Sequence, residues 1–445
     1  MKTPIYDFVK KYAEYDTSRF HMPGHKGHGP LGVEQLDITE VEGADVLYSA
    51  SGIISESENN ATALFGTAHT FYSAEGSSLS IKAMLALACS KAISGRPLIL
   101  AARNVHKAFV FAAALLDFDI EWIYPSERAH LCTCRLTAGD VEAAILASDR
   151  APTALYLTSP DYLGATTDIE SISKVCRRHG VLLLVDNAHG AYLNFLEESR
   201  HPIALGADMC CDSAHKTLPV LTGGGYLHIS KGADPELLTL ARNTLSVFAS
   251  TSPSYLILES LDICNAYIAD GYSEKLQATV RKVEKIKKSL SALGISVLDG
   301  EPLKITIYPR SVGYTGIELA DYLRSNKIEC EFADDEYTVL MVSVSNTDTD
   351  LERLTRAVEN LEKKSPLKHC VPFEAEAREC AMRVREAVFA PREVIPTNAA
   401  AGRILSSPTV SCPPAVPIVV SGEIITERDV EVFARYGITD VEVVR

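Results

Sequence analysis

Between residues 96 and 186 the sequence alternates short apolar segments with longer amphipathic ones. The apolar segments RPLILAA (96–102) and VLLLVD (181–186) have the length of strands. The segments TAGDVEAAILAS (137–148) and DIESISKVCRRHG (168–180), which lie between them, have helical spacing. Strands that alternate with helices of this length predict an α/β fold, with a mostly parallel sheet that is covered by helices on both faces.

Polar side chains that could bind a ligand or take part in catalysis follow four of the predicted strands. They lie at Asn104–His106, Ser159–Gly164, Asp186–His189 and Asp212–Lys216. Ligands bind at the carboxyl ends of the strands in open parallel sheets. The sequence therefore predicts a binding or catalytic site at this edge of the sheet.

Several strand-end residues, taken together with one helix start, are typical of pyridoxal phosphate enzymes. Lys216 could form a Schiff base, and Asp186 could pair with a protonated pyridine nitrogen. A glycine-serine turn opens a helix whose N-terminus, with the hydroxyls of Ser77 and Ser78, could hold a phosphate. His106 could stack on a flat ring. Each residue alone is more often structural, but the four features in this chain order predict a pyridoxal phosphate-binding domain of the aspartate aminotransferase type.

Segments spread over nearly the whole chain resemble the ornithine/lysine/arginine decarboxylase family, in particular its compact Gram-positive type. These segments are RFHMPGHKG (19–27), SAEGSSLSIKAML (73–85), RNVHKAF (103–109), VDNAHGAYL (185–193), DSAHKTLPVLTGGGYLHI (212–229), STSPSYLILESLD (250–262) and PPAVPIVVSGEIIT (413–426). The resemblance implies a fold type I major domain and a smaller α/β C-terminal domain. It also implies decarboxylation of a basic amino acid (arginine, lysine or ornithine) to the amine and carbon dioxide, with pyridoxal phosphate as the cofactor.

The resemblance also implies roles for single residues. Lys216 would carry the cofactor as a Schiff base, Asp186 would pair with its ring nitrogen, and His106 would stack on its ring. His189 would line the pocket and is, with Lys216, a candidate donor of the proton to Cα. Glu423 would lie near the substrate side chain. The residues expected at the phosphate are Ser77, Ser78, Ser213, His215 and, from the neighbouring subunit, Thr251 and Ser252.

The sequence departs from the family pattern at several motif positions. Many members read DEAHGAH where this chain has Asn187 and Tyr192, so a carboxylate and a histidine are missing. The motif PPG is replaced by Pro413–Ala415, and PGE by Ser421–Glu423. These departures leave the substrate open. They also keep two alternatives open, another fold type I reaction such as transamination and a catalytically inert cofactor-binding regulator.

The chain of 445 residues is long for one domain, and its pattern changes after about residue 270. We expect an N-terminal segment (1–60), a cofactor-binding major domain (61–285), a small α/β domain (286–365) and a C-terminal decarboxylase-family domain (366–445). Because the cofactor site would be shared between subunits, we expect at least a homodimer.

The charge balance narrows the possible partners. A formal net charge of −15 disfavours nucleic acid and anionic membranes as partners. The small basic amino acid expected as the substrate is what the family resemblance implies. The N-terminus is charged and has no apolar signal core, which predicts a cytoplasmic protein. The histidines of HMPGHKGH (21–28) have no evident acidic companion, and we expect no metal site. The acidic residues Asp334–Glu336 are expected in a solvated turn.

Overall fold

A computed structural model describes residues 1–93, 95–125, 130–368, 376–412 and 416–445. It divides the chain into two compact units. The first comprises residues 1–91 and 182–276, and the second comprises residues 92–181 and 277–445. The predicted four-part domain division stays a prediction.

The α-helices are distributed along the whole chain. They are α1 (Pro4–Glu14), α2 (Ile53–Phe65), α3 (Gly76–Cys89), α4 (Lys107–Leu116), α5 (Ala138–Ala147), α6 (Ile169–His179), α7 (Ala214–Thr217), α8 (Pro235–Phe248), α9 (Tyr255–Ala269), α10 (Tyr272–Ala292), α11 (Gly316–Ser325), α12 (Asp348–Glu359), α13 (Val384–Phe389) and α14 (Glu427–Arg435). Short 3-10 helices occur at Leu47–Ser49, Ala191–Phe195, Pro309–Val312 and Thr397–Ala399.

The strands alternate with these helices in the first half of the chain. They are β1 (His69–Ser73), β2 (Leu98–Ala102), β3 (Asp119–Ile123), β4 (Ala154–Thr158), β5 (Leu182–Asp186), β6 (Met209–Asp212), β7 (Gly225–Ile229), β8 (Ser296–Val297), β9 (Lys304–Tyr308), β10 (Phe332–Ala333), β11 (Thr338–Met341), β12 (Arg392–Pro396), β13 (Ser411–Cys412), β14 (Val416–Pro417) and β15 (Asp440–Val444).

Side-chain caps fix several helix ends where the sequence predicts them. The Thr137 hydroxyl accepts a hydrogen bond from the amide of Asp140 at the start of α5, and the Asp140 carboxylate accepts one in return from the amide of Thr137. Asp168 caps α6 by accepting a single hydrogen bond of 3.0 Å from the amide of Ser171. Gly180 ends α6 in the left-handed conformation, with φ of 68°, which glycine adopts without steric cost.

In the first unit the strands of the large sheet run in the order β1-β7-β6-β5. Strands β5 and β6 are parallel, with Val185 opposite Cys210. Strand β7 runs antiparallel to both of its neighbours, β6 and β1. Helix α3 packs across β5, β6 and β7 and brings its N-terminus to the start of β7.

In the second unit the strands of the large sheet run in the order β4-β2-β3, all parallel. A smaller antiparallel sheet has the order β10-β11-β9-β8, and two-stranded ladders join β12 to β15 and β13 to β14. A buried apolar cluster that includes Leu163, Val339, Leu405 and Phe433 forms part of the core of this unit.

The predicted fold class is confirmed, because the large sheet is mostly parallel and helices alternate with its strands. Across the described residues, none of the helices combines the length and the hydropathy needed to cross a membrane.

Candidate active site

Lys216 lies just beyond the end of a buried strand in the first unit. Strand β6 ends at Asp212, and the single helical turn α7 follows, whose last residues include Lys216. Leu218 leaves the helical conformation because it precedes Pro219. The Nζ atom of Lys216 lies 2.9 Å from Nε2 of His189, within hydrogen-bonding distance. The amine therefore has a proton-exchanging partner in the same unit.

Asp186 ends strand β5 and is buried, with 2% of its surface exposed. Its Oδ1 accepts a hydrogen bond of 3.1 Å from the amide of Ala188, and the Cys211 thiol lies 3.6 Å from the same oxygen. His189 follows in the next turn and is also buried. The ends of β5 and β6 thus place a carboxylate, an imidazole and an amine in one unit.

The N-terminus of α3 offers backbone amides that no cap residue uses. Glu75 occupies the cap position without a side-chain cap hydrogen bond, and the first turn of the helix holds no acidic residue. The Ser213 hydroxyl donates a hydrogen bond of 2.7 Å to that of Ser77, which is buried, whereas Ser78 is exposed. An amide-rich, positively polarised helix start of this kind suits an anion.

The glycine-rich turn after Lys216 packs directly against this helix start. A Cβ atom on Gly225 would come within 2.8 Å of the Asp212 carbonyl oxygen and 3.0 Å of the Gly76 carbonyl carbon. The His215 ring nitrogen Nδ1 lies 2.9 Å from the Gly224 carbonyl oxygen and donates to it. Glycine at 225 therefore lets the lysine segment and the helix start approach closely.

Thr251 and Ser252 are exposed in the loop between α8 and α9. The loop is tied to the start of α3, because the amide of Ser250 donates a hydrogen bond of 2.6 Å to the carboxylate of Glu75. Through this hydrogen bond the loop lies beside the start of α3, where Ser77 and Ser213 also lie.

The two motif departures at 187 and 192 are both buried. Asn187 donates a hydrogen bond of 2.7 Å from Nδ2 to Oδ1 of Asp212. Burial acts to raise the pKa of Asp212, but the neighbouring His201 and His228 outweigh it and hold that pKa well below its ordinary value. A carboxylate at 187 would face this anion, so the amide suits its surroundings.

In the second unit, His106 is the N-cap of α4. Its Nδ1 accepts a hydrogen bond of 3.1 Å from the amide of Ala108, which places the ring proton of a neutral imidazole on Nε2. This cap fixes the plane of the ring relative to the helix.

Glu423, also in the second unit, forms a buried ion pair that the sequence analysis missed. Its Oε2 lies 3.3 Å from Nη2 of Arg103 and accepts a hydrogen bond of 2.7 Å from the amide of Val420. The Arg103 side chain is fully buried, donates to the carbonyl oxygens of Pro417 and Ile418, and lies over the ring of Trp122. The sequence signal was available, because Arg103 opens the segment RNVHKAF.

Two expectations on charged groups need correction. Asp334 and Glu336 are buried, so they do not form a solvated turn, and Asp334 pairs with His130 at 3.2 Å. In the N-terminal segment His25 does have an acidic companion, Asp37, at 3.1 Å. Pro413–Ala415 lie outside the described residues.

Comparison with known proteins gives consistent matches. Residues 3–302 match the family model described as Orn/Lys/Arg decarboxylase, major domain. The uncharacterized protein YaaO of Bacillus subtilis is 29% identical over 98% of this chain and 94% of its own length. The arginine decarboxylase of the same organism is 29% identical over 96% of this chain and 92% of its own length. The lysine decarboxylase LdcF of Francisella novicida has the same fold, with a TM-score of 0.79 at 15% identity, covering all of this chain and 81% of that one.

Proposed function

Because the chain belongs to the Orn/Lys/Arg decarboxylase family, we propose that it removes carbon dioxide from a basic amino acid with pyridoxal phosphate as its cofactor. The substrate class is arginine, lysine or ornithine, and the product is the corresponding amine. The observation that carries the proposal is the contact of 2.9 Å between Lys216 Nζ and His189 Nε2, in the same unit as the buried Asp186.

The residues of the first unit fit the proposed cofactor. The start of α3 has uncapped amides and no acidic residue in its first turn, as a phosphate requires. Because Gly225 has no Cβ atom, the lysine segment and this helix start approach each other closely. Next to the lysine, the Thr217 hydroxyl is buried and has no hydrogen-bond partner within the described residues. A bound ligand would satisfy such a hydroxyl.

When bound, pyridoxal phosphate supplies an electron sink for the bond that breaks at Cα. Lys216 holds the cofactor through its Nζ, and Asp186 keeps a proton on the ring nitrogen because a buried carboxylate favours a cationic partner. Across their 2.9 Å contact Lys216 Nζ and His189 Nε2 would exchange a proton, and this pair would supply the proton that Cα of the substrate needs. Ser77, together with the α3 amides, binds the phosphate.

Other residues at the phosphate complete the proposal. The phosphate is also bound by Ser78, Ser213 and His215, which lie with Ser77 around the start of α3. From the family resemblance we propose that Thr251 and Ser252, whose side chains are exposed in this chain, serve the site of a neighbouring subunit. The protein would therefore act as at least a homodimer.

For the residues of the second unit, the proposal rests on the family motifs. His106 stacks on the cofactor ring, with its plane held by the cap hydrogen bond. Glu423 receives the distal cation of the substrate through the carboxylate oxygen Oε1, since Arg103 and Val420 both contact Oε2. A cation that leaves water needs such a partner.

The test is product detection by mass spectrometry. Purified protein with pyridoxal phosphate is incubated separately with arginine, lysine and ornithine, and agmatine, cadaverine or putrescine is expected from one of them. Lys216→Ala should abolish the amine, whereas the matched control Lys231→Ala, an exposed lysine of the same unit, should not. The absence of any amine from protein that binds the cofactor would overturn the proposal. A product that forms only when a keto acid is added would replace it with transamination.

A further inference from the structure

Four buried side chains of the first unit converge behind the strand that leads to Lys216. They are His201, Cys210, Asp212 and His228, and one ligand atom of each lies within 4.8 Å of those of the other three. We propose that these four side chains form a structural binding site for a divalent metal ion of the zinc type. The expectation of no metal site concerned the histidines of HMPGHKGH. This cluster is not visible in the sequence, because its four residues are spread over 28 positions, from 201 to 228, without a zinc-ligand spacing.

The distances between the ligand atoms fit a tetrahedral site. Asp212 Oδ2 lies 3.1 Å from His201 Nε2 and 3.2 Å from His228 Nε2, and Cys210 Sγ lies 3.8 Å from His201 Nε2. Zinc bonds of about 2.0–2.3 Å at tetrahedral angles separate neighbouring ligand atoms by about 3.3–3.8 Å. These three distances lie within a few tenths of an ångström of the tetrahedral values, and the other three distances between the ligand atoms are at most 4.8 Å.

The charges of the cluster also fit a divalent cation. A thiolate from Cys210, a carboxylate from Asp212 and two neutral imidazoles neutralise an ion of charge two. Neutrality matters because all four residues are fully buried and a net charge is costly there. The ring of Phe65 covers both histidines, with centroid distances of 4.5 Å to His228 and 5.6 Å to His201. Four protein ligands and this apolar cover favour a closed, structural site rather than a catalytic one.

Neighbouring groups orient the ligand atoms of His228 and Asp212 but not that of His201. The Thr70 hydroxyl lies 2.9 Å from Nδ1 of His228 and can accept its proton, which leaves Nε2 for the metal. Asn187 donates to Oδ1 of Asp212 and leaves Oδ2 for the metal. His201 is the exception, since its Nδ1 accepts a long hydrogen bond of 3.4 Å from the amide of Ile203. When Nε2 of His201 binds the metal, the ring proton moves to Nδ1, and the weak hydrogen bond from the Ile203 amide is lost.

The experiment measures metal content in protein that is produced without an affinity tag. Elemental analysis after dialysis should find about one zinc ion per chain in the native protein. Cys210→Ser should lose most of it, and so should His228→Gln. Cys264→Ser is the matched control, because Cys264 is another buried thiol of the same unit that lies on α9, and it should keep the metal.

A second measurement identifies the ligands by spectroscopy. Protein produced in medium with Co²⁺ in place of Zn²⁺ should show the visible bands of tetrahedral cobalt and a sulfur-to-cobalt charge-transfer band. Cys210→Ser should lose the charge-transfer band and Cys264→Ser should keep it. Native protein with less than about a tenth of an equivalent of metal from either medium would overturn the inference. Metal that is retained at full content in both Cys210→Ser and His228→Gln would overturn it as well.

Discussion

Glu423→Gln tests whether the buried Arg103–Glu423 ion pair of the second unit contributes to stability, to substrate binding or to both. The substitution keeps the shape of the side chain and removes its charge. The side-chain amide oxygen that it introduces can still accept the hydrogen bond from the Val420 amide, but Arg103 loses the only carboxylate that contacts it within the described residues. Arg103 keeps its two carbonyl acceptors and its contact with the Trp122 ring.

The expected loss of stability follows from the burial of the pair. The exposed fractions of the Arg103 and Glu423 side chains are 0% and 3%, so solvent does not screen the charge that is left behind. Removal of one partner from a buried pair costs about 3–5 kcal/mol in the free energy of unfolding. The matched control is Glu393→Gln, whose partly exposed pair with Arg403 should contribute no more than about 1 kcal/mol.

Urea unfolding followed by tryptophan fluorescence is the assay. Trp122 is the only tryptophan in the sequence and lies 5.2 Å from the Arg103 guanidinium carbon, so the signal reports on this part of the second unit. The double variant Arg103→Met/Glu423→Gln should be less destabilised than the sum of the two single variants, because no unpaired charge remains. A Glu423→Gln variant within about 1 kcal/mol of the native protein would refute the reasoning.

The same variant tests the role that we propose for Glu423 toward the substrate. KM for the basic substrate should rise much more than KM for an uncharged analogue such as norleucine. An equal change for both compounds, together with a large loss of stability, would leave Glu423 as the partner of Arg103 alone.

Three further predictions concern other buried or shared groups. Asn187→Glu should lower the free energy of unfolding measured in urea by about 4 kcal/mol, because it sets a second carboxylate against Asp212, whereas Asn187→Gln, which adds no charge, should lose much less. Burial raises the pKa of Asp161 from 3.8 to about 6. The folded state therefore binds the proton more tightly, and the native protein loses up to about 3 kcal/mol of stability as pH rises from about 4 to about 6. Asp161→Asn lacks this loss. In urea unfolding, its free energy of unfolding should therefore rise relative to that of the native protein by the same amount between about pH 4 and about pH 6. A difference between the two proteins that does not change with pH would contradict the raised pKa of Asp161. Finally, Ser252→Glu co-expressed with Lys216→Ala should restore up to about a quarter of the native activity if Ser252 serves the neighbouring subunit, whereas no restoration would place it in its own site.

The first half of the fold could be predicted from the sequence because its signals are local. The apolar segment 181–186 became β5 (Leu182–Asp186), and the segment 168–180 became α6 with Gly180 as its end. Each signal needed only the spacing of apolar residues and the chemistry of a cap. The direction of β7 was not predicted, because apolar spacing does not state which way a strand runs.

The candidate site likewise contains residues that could be predicted from local sequence signals and residues that could not. Lys216 and Asp186 could be found because a strand end is visible in the sequence. The partners of Glu423 could not, since Arg103 lies 320 positions away and only folding brings the two side chains together. The same holds for Asp212, whose two histidines and Asn187 come from different segments.

The glycine run after Lys216 limits how this protein can evolve. A Cβ atom added to Gly223 would lie 3.1 Å from the Ala74 carbonyl oxygen, and one added to Gly224 would lie 2.2 Å from a Val220 methyl group. A Cβ atom added to Gly225 would contact the start of α3. Every amino acid that a mutated glycine codon can encode brings at least that one carbon. Single mutations in this turn therefore disturb the lysine segment before they can alter specificity, and lineages that acquire new substrates should accumulate their changes elsewhere in the chain.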